Sequence, residues 1–181
     1  MLYQKIFLFG IDKSGKTSLS QALRTGKYEG DVFPTTYFDV KALFIRHFKD
    51  SIEFKMWDAP GQISYRDVWG EGYEAANLMI FVLDTSDKDR FREAKKALDD
   101  VLETEATKGV PLVFLFHKID LKRAKENYFD AQDIFKPALI QDRDIYQLHT
   151  SVMMQRTLDD IKEVIAKIVK KSRGNLENPY I

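Results

Sequence analysis

The sequence predicts an α/β domain, a doubly wound, six-stranded and mostly parallel sheet with one antiparallel edge strand. Three observations carry this. Four short apolar runs, KIFLFG, LMIFVLD, PLVFLFH and DIYQLHT, are dense in aromatic and β-branched residues and read as strands buried on both faces. Helical stripes lie between and after them: Phe91, Ala94, Leu98, Val101 and Leu102, then Leu158, Ile161, Val164, Ile165, Ile168 and Val169. One segment breaks the alternation, because FDVKALFIRHF and IEFKMWD flank the turn KDS and read as an antiparallel hairpin.

A chain of 181 residues that is 44% hydrophobic suits one domain, expected over 1–173, with GNLENPYI (174–181) as a loose tail. The 28 basic residues cancel the 28 acidic ones, which argues against a generalised nucleic-acid or anionic-membrane binder. With no cysteine there is no disulfide, thiolate metal site or cysteine nucleophile. No apolar run approaches a membrane span of about 20 residues. No leader precedes the first strand, position 2 is not glycine and the last residue is not cysteine. A cytoplasmic protein without an integral membrane segment or lipid anchor is expected.

Taken in order, the first strand runs into GIDKSGKTS, which opens the helix KTSLSQAL. Gly10 to Thr17 spell G-x-x-x-x-G-K-[ST] between a strand and a helix, the setting that phosphate cradling requires. Its glycines let successive N–H groups point inward, and the helix N-terminus adds partial positive charge. The phosphate-binding set is therefore Gly10, Asp12, Lys13, Ser14, Gly15, Lys16, Thr17 and Ser18. Lys16 would reach the β- and γ-phosphates and Thr17 would offer its hydroxyl to Mg²⁺.

Next, MWDAPGQ ends the second hairpin strand. Asp58 is placed to hold Mg²⁺ through its water shell, the Gly61 N–H to bond the γ-phosphate, and Gln62 to orient the attacking water. By itself DAPG is an ordinary turn; its position at a strand end gives it this reading. In FLFHKID, the Asp120 carboxylate can accept from N1–H and the 2-amino group of guanine, an edge that adenine does not present. A buried Asp120 facing adenine would lose two charge-assisted bonds of about 1.5 to 3 kcal/mol each. Lys118 would lay its stem along the base. HTSV (Thr150, Ser151, Val152) could turn a backbone N–H toward O6, although alone it is a plain strand end. All these segments fall at the carboxyl ends of strands, where open α/β sheets bind ligands. His47 and His149 read as ordinary strand residues. Lys162, Lys167, Lys170, Lys171 and Arg173 read as the solvated face of the last helix.

These residues make the sequence similar to the small GTPases of the Ras superfamily, and within them to the Arf and Rag branches, over roughly Lys5 to Lys171. GIDKSGKT resembles the Arf phosphate loop, Asp12 included. FPTTYFDV resembles the Arf first switch, which implies Thr35 as second Mg²⁺ ligand, with Thr36 as the alternative. MWDAPGQ followed by Trp69 keeps Arf spacing, and FVLDTSDKDRFREAKKAL resembles the Arf strand and helix that follow. HKID and Pro60 resemble Rag. The resemblance implies the P-loop small G-protein fold. It also implies that His117 takes the place of an asparagine that bonds the base N7 and braces the phosphate loop. Exchange factor, activating protein and effector would meet the switch regions through Phe38, Trp57 and Trp69. Phe38 and Trp57 match two members of the Arf effector trio, and Gly72 holds the third place beside Tyr73. Because the first strand starts at about Tyr3, the lipidated Arf helix is not expected, so any membrane recruitment would use a partner. The second Rag domain is not expected either, and homo- or heterodimers would pair through another surface.

The leading expectation is a Mg²⁺-dependent GTP-hydrolysing switch in trafficking or signalling. Lys16, Mg²⁺ and the loop amides would stabilise charge while Gln62 positions water. No intrinsic arginine finger is evident: Arg66 reads as an exposed switch residue, Asp12 crowds the approach of an inserted arginine, and unaided turnover is expected to be slow. The alternative is a hydrolytically weak guanine-nucleotide-binding module in a Rag-like pair, favoured by His117, Pro60 and Asp12 and opposed by Gln62. A P-loop kinase or ATPase would need an arginine-rich acceptor lid and would leave Asp120 without a task.

Overall fold

The computed structural model describes residues 4–30, 32–47 and 50–177, with side chains over 4–30, 32–46 and 51–172. The strands are β1 (Gln4–Phe9), β2 (Asp39–His47), β3 (Asp50–Asp58), β4 (Leu78–Asp84), β5 (Leu112–His117) and β6 (Ile145–Thr150). They form one sheet in the order β2-β3-β1-β4-β5-β6, parallel except for the antiparallel β2–β3 pair at one edge. The helices are α1 (Lys16–Thr25), α2 (Trp69–Tyr73), α3 (Phe91–Leu102), α4 (Lys122–Phe135) and α5 (Gln155–Glu177).

Side chains alternate across a strand, and here the alternation sorts aliphatic from aromatic residues. β1 sends Ile6 and Leu8 to one face and Phe7 and Phe9 to the other; β5 does the same with Val113 and Leu115 against Phe114 and Phe116. The aliphatic face packs on Leu19 and Leu23 of α1 and on Leu158, Ile161 and Ile165 of α5. The aromatic face packs on Trp69, Phe91, Leu98 and Phe135 from α2, α3 and α4. Phe114 sits 5.3, 4.7 and 5.4 Å from the rings of Phe81, Phe116 and Phe135, so truncating it to alanine would cost about 3 to 5 kcal/mol.

Three local expectations change. DIYQLHT is not buried on both faces, since Gln147 and His149 are exposed; β6 is the other edge of the sheet. The turn KDS is shorter than read, because Asp50 pairs with His47 and both Asp50 and Ser51 belong to β3. Lys49 of that turn and Phe48, read as the end of the preceding strand, lie outside the described residues, as does the expected strand start at Tyr3. α5 continues past Gly174 to Glu177, since each further helical residue adds a backbone bond and one glycine weakens a helix without ending it. Residues 178–181 lie outside the described set. Among the described residues, no helix is long and apolar enough to cross a membrane.

Candidate functional site

After β1 the chain turns through left-handed backbone at Gly10 (φ +148°), Lys13 (φ +63°) and Gly15 (φ +99°). The glycines are there for close approach: a Cβ would stand 2.5 Å from the Val82 carbonyl oxygen at Gly10 and 2.8 Å from His117 Cδ2 at Gly15. Lys13 takes its turn without being glycine, and its carbonyl accepts from Lys118 Nζ at 2.7 Å. No side chain caps α1, so the amides of its first turn remain available to an anion. Lys16 opens that helix, is buried, and donates through Nζ to the Ile11 carbonyl at 2.8 Å. Burial pushes its ammonium down to about 8, against the pull of Asp58 and Asp12.

Asp58, at the end of β3, is fully buried; among the described residues neither carboxylate oxygen has a partner in full hydrogen-bond geometry, and the Thr17 hydroxyl is the group that comes nearest to serving as one. Burial pushes it up to about 6 despite the nearby Lys16 ammonium and Thr17 hydroxyl. The Thr17 and Thr35 hydroxyls lie 3.2 Å apart. An orphaned buried carboxylate near two hydroxyl oxygens suits a hard divalent cation that takes oxygen ligands, so these residues fit Mg²⁺. Thr35 lines the cleft that holds Lys16, Thr17 and Gly61, whereas Thr36 borders only the neighbouring groove, which Thr17 and Thr35 also reach.

Gly61 is pressed against the phosphate loop. A Cβ there would stand 2.4 Å from Asp12 N and 2.6 Å from Lys16 Nζ. The Gly61 carbonyl accepts from the Asp12 N–H at 3.0 Å and from Arg66 Nε at 2.8 Å. Arg66 is therefore not the exposed arginine that the sequence suggested: its side chain is 14% exposed and also pairs with Glu93. Gln62 follows and lines the cleft. Trp69, expected as a partner contact, is 5% exposed; its indole packs on Phe7 and Phe9 and donates to the Pro60 carbonyl at 2.7 Å. It belongs to the core. Phe38 and Trp57 are half-buried, with rings 5.2 Å apart, and Lys5 Nζ lies 4.0 Å from the Trp57 ring centroid. A Cβ at Gly72 would come within 2.5 Å of Phe7 and 2.8 Å of Phe38, so glycine in the third aromatic place lets Phe38 sink inward.

At the other end, His117 is buried, shares a 2.8 Å hydrogen bond with Thr150 Oγ1 through Nδ1, and backs onto Gly15. Burial pushes it down to about 4, with Lys118 adding to the effect, so the ring is neutral at physiological pH. Lys118 (φ +63°) reaches Asp84 Oδ2 at 2.6 Å as well as the Lys13 carbonyl. Asp120 is exposed, because it sits on the open turn beyond β5; the burial assumed in the guanine argument would come with a bound base. The Ser151 N–H is engaged by Thr157 Oγ1 at 3.1 Å and the Met153 N–H by Ser151 Oγ at 3.0 Å.

These groups line one cleft of about 470 Å³ that runs from Lys16, Thr17, Ser18, Thr35, Gly61 and Gln62 to His117, Lys118, Asp120, Ser151 and Val152. Gly10, Ser14, Asp58 and Thr150 are predicted members that are absent from its surface, Asp58 because it lies fully buried behind Thr17 and Lys16. Gly10 serves the approach to β4, Thr150 props His117, and Ser14 is buried with an unpartnered hydroxyl. Tyr28, Val32, Phe33, Leu121 and Met153 also line the cleft, and sequence reasoning missed them. Their signal was available: large apolar side chains in loops, 43, 38, 88, 43 and 65% exposed respectively.

The arrangement can seat a polyphosphate at a helix N-terminus, a divalent cation beside it and a planar base across His117 and Lys118. ADP-ribosylation factor-like protein 8b of Arabidopsis thaliana is 29% identical over 170 residues, covering 93% of this chain and 89% of its own. ADP-ribosylation factor-like protein 8d of the same plant is 31% identical over 120 residues, 66% of either chain. The fold matches that of the Trypanosoma brucei Arl6 small GTPase, solved with the nucleotide analogue GppNp. The TM-score is 0.77 at 20% identity, covering 95% of this chain and 98% of that one. The Arf match gives the Rag-like pair no support. Matched over residues 3–170 by the ADP-ribosylation factor family, the chain belongs to that family, and is a GTP-binding switch that hydrolyses GTP.

Proposed function

We propose that the switch works through the Lys16-to-Asp120 cleft, with Mg²⁺ held by Thr17, Thr35 and Asp58. The observation that carries this is Asp58, a fully buried carboxylate without a hydrogen-bond partner among the described residues, placed near the uncapped start of α1. When bound, the metal supplies positive charge against the phosphate oxygens. Lys16 and the amides of Lys13–Ser18 grip the phosphates, and the Gly61 N–H bonds the terminal one. Gln62 orients the attacking water. Asp120 reads the guanine edge, and Lys118 and the Thr150–Val152 turn flank the base. Thr35 and Gly61 lose their shared ligand after hydrolysis, which releases both switch segments.

Among the described residues no arginine lines the cleft, so turnover is slow until an activating protein supplies one, a step worth about 10³ to 10⁵ in rate. Exchange factor and effector meet the segments around Phe38 and Trp57. The protein acts in trafficking or signalling from the cytoplasm and reaches membranes through a partner, and its G domain runs to the end of α5 instead of stopping at 173. Single-turnover GTP hydrolysis by wild type and Gln62→Leu tests the catalytic part: the variant is expected to be slower by at least about tenfold, and equal rates would overturn the role given to Gln62.

A further inference from the structure

Four charged side chains from three separate segments meet behind the phosphate loop. Arg90, just before α3, donates through Nη2 to Asp12 Oδ1 at 2.6 Å and through Nη1 to the Asp12 carbonyl at 3.0 Å. Its Nε and Nη2 also reach Glu93 Oε2 at 2.9 and 2.8 Å. The other oxygen of Glu93 takes Arg66 Nη2 at 2.5 Å, and Arg66 Nε holds the Gly61 carbonyl. Glu93 is thus a fork that binds one arginine fixed to the phosphate loop and another fixed to the Gly61–Gln62 peptide.

The side chains are only 14 to 34% exposed, unlike the solvated pairs that contribute little. Partial burial pushes the Asp12 and Glu93 carboxyls up, yet the arginines more than offset it and hold both below the usual carboxylate range. With its oxygen held by two donors and no room for a side chain, Gly61 cannot pivot without breaking this set. The peptide so fixed lies between the Gly61 N–H and the Gln62 side chain, the two groups assigned to the terminal phosphate and the attacking water.

We infer that Asp12, Arg90, Glu93 and Arg66 form a positioning relay that holds the Gly61–Gln62 peptide for the third phosphate, making the first turn of α3 part of the triphosphate sensor. The inference rests on the nucleotide reading above. None of the four is a catalytic residue in this role; each acts through Gly61 and Gln62. The relay predicts an effect on GTP that is absent for GDP, whereas a merely structural network would weaken both.

The test measures dissociation constants for GDP and for GppNp, with Mg²⁺, on protein stripped of nucleotide. Variants are Glu93→Gln, which keeps the side-chain shape, then Arg66→Gln, Arg90→Gln and the double Arg66→Gln/Glu93→Gln. Each single variant is expected to bind GppNp about tenfold more weakly and GDP within about twofold of wild type. The double should lose no more than the worse single, as members of one chain do. Arg66→Lys, which keeps the charge but cannot serve Glu93 and Gly61 together, should not rescue. Lys96→Gln, from the exposed pair with Asp100, should leave both constants unchanged. Equal losses for the two nucleotides, or no loss for either, would overturn the relay while leaving the nucleotide reading intact. Wild type that bound neither nucleotide would overturn that reading and the relay with it.

Discussion

At the phosphate end of the cleft, Lys16 and Asp58 are both buried, yet Lys16 has a single carbonyl partner among the described residues and Asp58 has none. At the base end, His117 is equally buried but neutral, and Thr150 meets its inner nitrogen. Burying an ionised group without compensation is costly, and burying a hydrogen-bonded neutral one is not. The phosphate end therefore holds its charges at the expense of folding stability until a ligand compensates them. The base end belongs to the scaffold, ligand or no ligand. Anything that binds only the folded state raises its stability by mass action, so nucleotide and metal should stabilise this protein chiefly through one end of one cleft.

Gly61→Ala should break the comparison most visibly. The added Cβ would collide with the Asp12 amide nitrogen and with Lys16 Nζ, so either Gly61 or the loop must move. Overpacking of this kind costs up to about 3 kcal/mol, which corresponds to about a hundredfold in affinity. Binding of GppNp should fall by that order and binding of GDP by less than about tenfold, as read by calorimetry. A uniform loss would mean that the crowding acts on the whole loop instead of the place of the third phosphate.

Asp58→Asn gives a smaller effect with two opposite signs. Removing the charge while keeping the outline relieves an unpartnered carboxylate, so the stripped variant should be more stable than wild type by about 1 to 3 kcal/mol. At about 2 to 4 °C per kcal/mol for a chain of this size, its melting temperature should rise by about 5 °C. The further rise that Mg²⁺ and GDP give wild type should largely disappear. A stripped variant that melts lower would show that Asp58 has a stabilising partner after all.

The asymmetry between the ends explains what could be read from the sequence. Lys16, Asp58 and Asp120 were legible because each lies in a short motif at a strand end, where neighbours along the chain fix the chemistry. The relay was not. Arg66 and Glu93 are 27 positions apart and Arg90 and Asp12 are 78 apart, so only the fold brings them together. Read alone, Arg66 looked like a free switch arginine and Trp69 like a docking surface. The Gly61 carbonyl and the rings of Phe7 and Phe9 claimed them first. The same limit hid the difference between Asp120, exposed on its turn, and His117, buried at the end of β5, although both lie in HKID.

The pH dependence separates the ends a third time, with the smallest effect. His117 titrates at about 4 when folded and near 6.5 when free, so the unfolded chain takes up the proton first. Above pH 6.5 neither state is protonated and its contribution is constant; as pH falls from 6.5 toward 4, stability is lost, by about 1 kcal/mol at pH 5.5. Asp58 acts in the opposite direction. Its carboxyl is raised to about 6, so the folded state takes up the proton first and gains stability over the same fall. The two slopes partly cancel in wild-type protein, which makes its own curve a poor witness. The difference between wild type and His117→Asn, measured by urea unfolding of nucleotide-free protein at pH 7.0 and pH 5.5, isolates the base end. Asparagine cannot titrate, so wild type should lose about 1 kcal/mol relative to the variant over that interval. A difference of zero would place a proton on His117 in the folded protein, and the base end would then carry a buried charge just as the phosphate end does.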